Sequence, residues 1–476
     1  MNGPFSFRTA PEMWKELHTH LFPGDRSEHG AVIAASVLST PRGTRLLAHK
    51  LFLARDGIDY LPGQRGHRML TATFVMDCAL ECAELGMAYL AVHCHGGNDQ
   101  VRFSGTDLAS HERGYAALLD IVDGPPVGAL VFAPNAVAGH IWLPGGDREP
   151  LEETVVAGRP ILRFDPSPRR RPRNVDGRYD RQARLFGDRG QHILSSLKIG
   201  IIGAGGAGSL VNQYLAHLGI GEIVIVDPDR IERSNLTRVV GSHLRDIRSC
   251  LTSPRIPTSI RRRLDRFRKL KVSIGERVAR QAHPAIRYTA VAADVTTQIA
   301  VNHLVDCDYL VLAADTMQAR LVFNALVHQY LIPGIQMGVK AQVDQETGKV
   351  DDLFVAVRPV LPAVGCLWCN GLISPANLQE EATSHEQRRR QRYVEDDDIP
   401  APSVITLNAI GASHAASDFL MSMTGLQDEN ELTWSKHYPR SGQSISEHPR
   451  RDVGCRECSV VGRLGRGPTH RLPVRA

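Results

Sequence analysis

The chain has no apolar run reaching the ~18–20 residues that a bilayer-spanning helix needs, which excludes a helical membrane protein. Its N-terminal stretch, MNGPFSFRTAPEMWKELHTH, lacks the charged-then-apolar order of a secretory signal, so a cytoplasmic location is expected. Charge of one sign is also in short supply, at a net +5 over 476 residues. Arginine crowds into RRRPR (169–173), RRRLDRFRK (261–269) and RRRQR (388–392), but these runs carry no array of aromatic side chains to stack on bases. They read as solvated segments rather than a nucleic-acid surface. In a cytosolic chain the nine cysteines argue for metal or catalytic roles before disulfides.

The length suggests about two to four domains. A first α/β block runs to Phe164, and DPSPRRRPRNVDG (165–177) reads as a linker rich in Pro and Arg. The second block, 178–476, alternates short apolar strands with helical patterns: LKIGIIG (197–203), EIVIVD (222–227) and YLVLAAD (309–315). That alternation predicts a mostly parallel, doubly wound, Rossmann-like sheet. Residues 242–268 read as an insertion, and the polar stretch 376–400 as a mobile loop.

Gly203, Gly205, Gly206 and Gly208 follow a strand and open a helix. Glycines there allow a tight turn and let backbone N–H groups approach phosphates. Asp227 closes the next strand, where a carboxylate can bind ribose hydroxyls. A dehydrogenase would show as much. The flanks point elsewhere: Arg178-Tyr-Asp-Arg181-Gln182 upstream, then Asp229, Ser234-Asn235-Leu236-Thr237-Arg238, and Asp315 followed by Arg320 and Asn324. So many cationic and amide groups suit a triphosphate with Mg²⁺ better than a dinucleotide. For Arg320 and Asn324 taken singly, packing on a helix surface is the alternative.

On the motifs RYDRQ, GAGGAGS, VDPDRIERSNLTR and DTMQARLVFN, the chain resembles the ThiF-type adenylyltransferases, which include ubiquitin-activating enzymes and activators of sulfur-carrier proteins. Lys271 lies thirteen residues before Pro284, the spacing this family keeps between an ATP-contacting lysine and an Asn-Pro pair; here the pair is His283-Pro284. The resemblance spans 178–460. It implies that Asp227 binds ribose, that Asn235, Arg238 and Lys271 hold phosphates, and that Asp315 coordinates Mg²⁺. It also implies that Arg181 reaches the phosphates of the opposite subunit in a homodimer.

Cys366-x-x-Cys369 and Cys455-x-x-Cys458 have the spacing of two zinc knuckles, which together close a structural site of four thiolates. A redox role is the alternative. No cysteine lies between Cys369 and Cys455, where many relatives place a thioester-forming residue. The expectation is therefore acyl-adenylate formation without a thioester; Cys250, among arginines that would lower its pKa, is the one candidate otherwise.

In the first block, His93 and His95 alternate on a strand and Asp107 lies one turn into the next helix. Three such ligands leave a fourth zinc position open for water. Glu28 could deprotonate that water and Ser104 could donate to an oxyanion. Over about residues 20–145 this resembles the JAB/MPN (JAMM) metallopeptidases, which remove or trim ubiquitin-like proteins. Two features depart from that pattern: a spacer from His95 to Ser104 longer by one residue, and Gly96 where proline is common.

The combined expectation is an enzyme whose first block processes a ubiquitin-like protein and whose second adenylates the exposed carboxylate with Mg-ATP. A conjugating enzyme or a sulfurtransferase would follow it. Activation of a sulfur carrier for cofactor biosynthesis, or a nucleotide-binding scaffold without turnover, are the alternatives. Only eight of the 56 basic residues are lysine. The codon bias of a GC-rich genome explains this more readily than avoidance of self-modification does.

Overall fold

The computed structural model describes residues 4–25, 27–61, 68–167, 176–247, 267–344, 347–382, 402–428 and 431–475. Cys250, the Arg runs apart from 267–269, and most of 242–268 lie outside them. No helix among the described residues is long and apolar enough to cross a membrane.

The first unit comprises β1 (Phe5–Thr9), α1 (Pro11–Leu21), β2 (Gly30–Thr40), β3 (Gly43–Leu53), α2 (Ala72–Leu85), β4 (Ala88–Cys94), α3 (Gly105–Val122), β5 (Val127–Ala133), β6 (Ala136–Trp142), β7 (Arg148–Val156) and β8 (Leu162–Phe164). Its strands run in the order β1-β3-β2-β4-β5-β6-β7-β8, and β1 also pairs with β7, so seven of them close into a barrel. Alternation along β2 shows why the strands hold this shape. Ile33 joins Phe7, Leu46, Leu90 and Phe132 in one cluster, to which α1 adds Trp14 and Leu17. Its neighbours Val32 and Ala34 join Tyr89, Val127 and Ala129 in a cluster with Cys78 and Cys82 of α2 and Tyr115 of α3. Successive side chains point to opposite faces, and both faces are covered. That accounts for the near-continuous apolar run GAVIAASV.

The second unit comprises α4 (Asp180–Ser196), β9 (Lys198–Ile202), α5 (Gly206–His217), β10 (Glu222–Val226), α6 (Lys271–Ala282), β11 (Arg287–Val291), α7 (Gln298–Asn302), β12 (Tyr309–Leu312), α8 (Met317–Gln329), β13 (Gly334–Val343), β14 (Val350–Val360), α9 (Pro375–Ala382), α10 (Ile405–Thr424), β15 (Trp434–Tyr438) and β16 (Gln443–Glu447). The strand order is β11-β10-β9-β12-β13-β14-β15-β16. β11 through β13 are parallel, whereas β13 through β16 are antiparallel, so only part of the sheet is the parallel one expected. The order reverses about β9, which opens a crevice at the C-terminal strand ends. The polar stretch expected to be a loop begins as a helix, Pro375–Ala382. Pro suits a first helical position, and Ala, Leu, Gln and Glu are good helix formers.

Several contacts join the units, Arg159 with Asp418 and Arg451 with Glu12 (3.2 Å) among them. Asp308, just before β12, accepts from Arg8 (2.6 Å), Arg42 (2.8 Å) and Arg45 (2.9 Å) of the barrel. Burial alone would raise the Asp308 carboxyl; Arg45, Arg8 and Arg42 outweigh it and hold the group well below the usual carboxylate range. Another contact is the C-terminal tail. Leu464 O accepts from His49 Nδ1 (2.7 Å) and Gly465 O from Ser36 Oγ (2.8 Å), while Gly465 N donates to His328 O of α8 (2.9 Å). The tail lies so close to β3 that a Cβ on Gly465 would come 2.1 Å from Ala48 O.

Candidate functional site

At the end of β9, Gly203 turns with φ +99°. A Cβ there would lie 2.9 Å from Ala313 O, and one on Gly208 would lie 1.9 Å from Gly203 O. Only glycine fits this turn and the helix start behind it. The Asp227 carboxylate accepts from Ala204 N (2.7 Å) and Asp229 N (2.8 Å), tying the glycine turn to the end of β10. Burial pushes the Asp227 carboxyl up, against the pull of Lys271. Lys271 opens α6, where its N donates to Asp229 O (3.0 Å) and its Nζ to Asp229 Oδ2 (2.6 Å). Asp227, Asp229 and Lys271 are thus gathered beside the first turn of α5.

Arg238 and Asn408 stand over that turn. A Cβ on Gly206 would lie 2.4 Å from Asn408 Nδ2 and 3.4 Å from Arg238 Cδ. Asn235 is buried in a short turn, its Oδ1 accepting from Glu232 N (3.1 Å). Arg181 is exposed in the first turn of α4, and Asp315 is exposed between β12 and α8. Asn408 escaped sequence reasoning, because it comes from α10, about two hundred residues after the glycines, and no local motif marks it.

Arg320 and Asn324 make their hydrogen bonds to the segments around the cysteine knuckles. Asn324 is fully buried; its Oδ1 accepts from Leu367 N (2.9 Å) and its Nδ2 donates to Glu457 Oε2 (3.4 Å). Arg320 Nη1 donates to Leu372 O (3.0 Å). Both brace the cysteine knuckles, so the packing alternative describes their contacts. The donor atoms of Cys366, Cys369, Cys455 and Cys458 lie within 4.8 Å of one another, and the Cys369 and Cys458 sulfurs are 3.7 Å apart. Zn–S bonds of ~2.3 Å in a tetrahedron put sulfurs roughly 3.8 Å apart. The cluster fits a structural zinc.

On the barrel, β2 and β4 pair with Gly30 opposite His93, which brings the segment holding Glu28 beside the histidine strand. His93, His95 and Asp107 form the other cluster of metal-type donors among the described residues. The two Nε2 atoms are 3.2 Å apart, His95 Nε2 is 3.3 Å from Asp107 Oδ2, and His93 Nε2 is 3.7 Å from Asp107 Oδ1. A tetrahedral zinc ~2.0–2.1 Å from each donor requires separations of roughly 3.3 Å. His95 Nδ1 lies 3.1 Å from Arg102 O, a contact that leaves Nε2 for a metal. Glu28 Oε1 is 3.8 Å from His95 Nε2.

Ser104 caps α3: its Oγ accepts from Asp107 N (3.1 Å) and donates to Asp107 Oδ2 (2.7 Å). Its hydroxyl is thus engaged with the aspartate in this structure. Burial would raise the Asp107 carboxyl, but hydrogen bonds from His93, His95 and Ser104 hold it far below its ordinary value. Cys94, between the histidines, faces the core and accepts from His29 N (3.2 Å).

Comparison with known proteins matches the ThiF family over residues 179–438. The chain is 53% identical over 64 residues to the adenylyltransferase and sulfurtransferase UBA4 of Yarrowia lipolytica (13% of this chain, 16% of that protein). It is 28% identical over 219 residues to the sulfur carrier protein ThiS adenylyltransferase of Bacillus subtilis (43% of this chain, 57% of that protein). The crystal structure of Escherichia coli MccB aligns with 60% of this chain and 72% of its own at 19% identity and a TM-score of 0.44. The chain thus spans well under two thirds of these curated relatives. The family match leaves the barrel uncovered.

Proposed function

The chain belongs to the ThiF family, and from that membership we propose that its second unit uses Mg-ATP to adenylate the C-terminal carboxylate of a ubiquitin-like or sulfur-carrier protein. The observation that carries the reading is the gathering of Asp227, Lys271, Arg238 and Asn408 around the first turn of α5. In the reaction a carboxylate oxygen attacks the α-phosphorus, an acyl–AMP anhydride forms and pyrophosphate leaves. The protein's part is alignment and charge neutralisation. Backbone N–H groups of the glycine turn and the positive end of α5 face the phosphates. Lys271 and Arg238 neutralise them and Asp227 holds the ribose. Mg²⁺ bound at Asp315 would offset charge on the leaving pyrophosphate. Arg181, being exposed, is available to a second copy in a homodimer. The relatives' names, which join adenylyltransferase to sulfurtransferase in one and to a sulfur carrier protein in the other, favour a partner of this class.

Among the described residues, the thiols outside the four-cysteine cluster are Cys78, Cys82, Cys94 and Cys307, all buried and all pushed up by burial. None is a ready nucleophile. The acyl-adenylate would then pass to a sulfur or thiol of a partner, and Cys250 is tested by the intact mass of Cys250→Ala after reaction. ATP–pyrophosphate exchange that requires a candidate partner ending in glycine supports adenylation. Tight NAD binding without ATP binding would return the crevice to a dehydrogenase.

The barrel has its own reading, a zinc hydrolase of the JAMM kind that trims or releases the same partner. Its support is the near-tetrahedral spacing of His93, His95 and Asp107 beside Glu28. A zinc ion would supply a Lewis acid and an acidified water. Glu28, 3.8 Å from His95 Nε2, would take the proton, and Ser104 and Arg102 O would orient the ligands. Cleavage of a tail-extended partner that stops on chelation and resumes with Zn²⁺ tests it; cleavage insensitive to chelation rejects it.

A further inference from the structure

We infer that Glu381 is a positioning residue for adenylation: it fastens the first turn of α8 and so sets the backbone from which Asp315 projects. The inference rests on the reading of Asp315 as the Mg²⁺ ligand.

Only residues 313–316 separate β12 from α8, so Asp315 stands one residue before the helix cap. One side of this loop is tied to the nucleotide turn, because Ala313 N donates to Ile202 O (2.8 Å) and Ala313 O crowds Gly203. The other side is tied to Glu381. Met317 N donates to its Oε1 (2.8 Å) and Gln318 N to its Oε2 (3.0 Å). Thr316 Oγ1 takes the third free N–H, that of Ala319 (3.2 Å).

A helix start needs only a local side-chain cap such as Thr316. Here a second, charged acceptor arrives from the last turn of α9, over sixty residues later. Its position near Asp315 is marked by Arg320, which feels both carboxylates. Charge-assisted bonds to two backbone N–H groups fix the turn more firmly than a hydroxyl does. Glu381 is not itself required as a ligand. A turn held in place favours a divalent cation at Asp315. Arg320 links the same region to the first cysteine knuckle through Leu372 O, which holds the start of α9 in register.

The test is partner-dependent ATP–pyrophosphate exchange, titrated with Mg²⁺ in the full chain and in Glu381→Gln and Glu381→Ala. In Glu381→Gln the Mg²⁺ half-saturation should rise about three- to tenfold with kcat at saturating Mg²⁺ within about twofold. Glu381→Ala should raise it further and also lower kcat. A cap that only stabilises the helix would lower the melting temperature of both variants and leave the Mg²⁺ half-saturation unchanged, and that result overturns the inference. Exchange that persists undiminished in Asp315→Ala overturns the reading of Asp315 itself, and the inference with it.

Discussion

The cysteine cluster and the His93–His95–Asp107 cluster each gather metal-type donors within 4.8 Å, but they differ in chemistry and in access. Four sulfurs, three of them on buried residues, leave no open position and bind together segments almost ninety residues apart. Two imidazoles and one carboxylate leave a position open, with both histidines partly exposed and a further carboxylate 3.8 Å away. Donor number and exposure thus separate a closed site from one with room for a further ligand. The cysteines sit at the hub of an internal network through Asn324, Glu457 and Arg463, while the histidines sit at the C-terminal end of β4, partly exposed.

Four measurements would break or sharpen this contrast. Cys366→Ser should have the largest effect, lowering the melting temperature by roughly 10 °C or more, because a structural metal contributes folding energy outright. A stable, zinc-free Cys366→Ser protein would erase the distinction. Asp315→Ala should cut partner-dependent exchange by about a hundredfold or more, of the order seen when one preorganised charge is lost. Asp315 is exposed, so calorimetry should find the fold nearly unchanged. His95→Ala should reduce bound zinc by one equivalent and abolish tail cleavage, with a shift in melting temperature of only a few degrees. A fall of 10 °C there would make the barrel site structural as well.

The smallest effect concerns pH. His111, buried among Phe103, Tyr115 and Trp142, is pushed down to about 4, by burial first and then by His93. A histidine so lowered contributes stability that is complete above its unfolded value of ~6.5 and is lost as pH falls towards 4. Melting temperatures between pH 6.5 and 4.5 should therefore decline less steeply in His111→Phe than in the unaltered chain. Parallel slopes would show that His111 does not carry this term.

Much of the nucleotide crevice was legible because its residues are set by backbone geometry within short segments. The glycines and Asp227 follow strand ends whose apolar runs are plain in the sequence, whereas Lys271, which opens α6, was legible only through its spacing to Pro284. Asn408 and Glu381 were not legible, since tertiary packing carries each from a distant helix into place. Arg320 and Asn324 show the converse. Their spacing after Asp315 matches the family motif, yet a 0% exposed Asn324 is bonded to the knuckle instead. Alternation predicts strands but not closure, so the barrel was read only as an α/β block. Closure depends on the parallel β1–β7 pairing, about 145 residues apart in the chain. The helix Pro375–Ala382 was hidden by its polarity, for it lacks a buried residue that would give it an apolar stripe.

The tail beyond Cys458 has a consequence for how the molecule comes apart. Seven residues after that cysteine, Gly465 is hydrogen-bonded both to α8 and to the barrel. With the arginine cluster on Asp308, this couples the melting of the barrel to that of the adenylating sheet. Calorimetry of the metal-loaded chain should show one cooperative transition, and stripping zinc should split it into two.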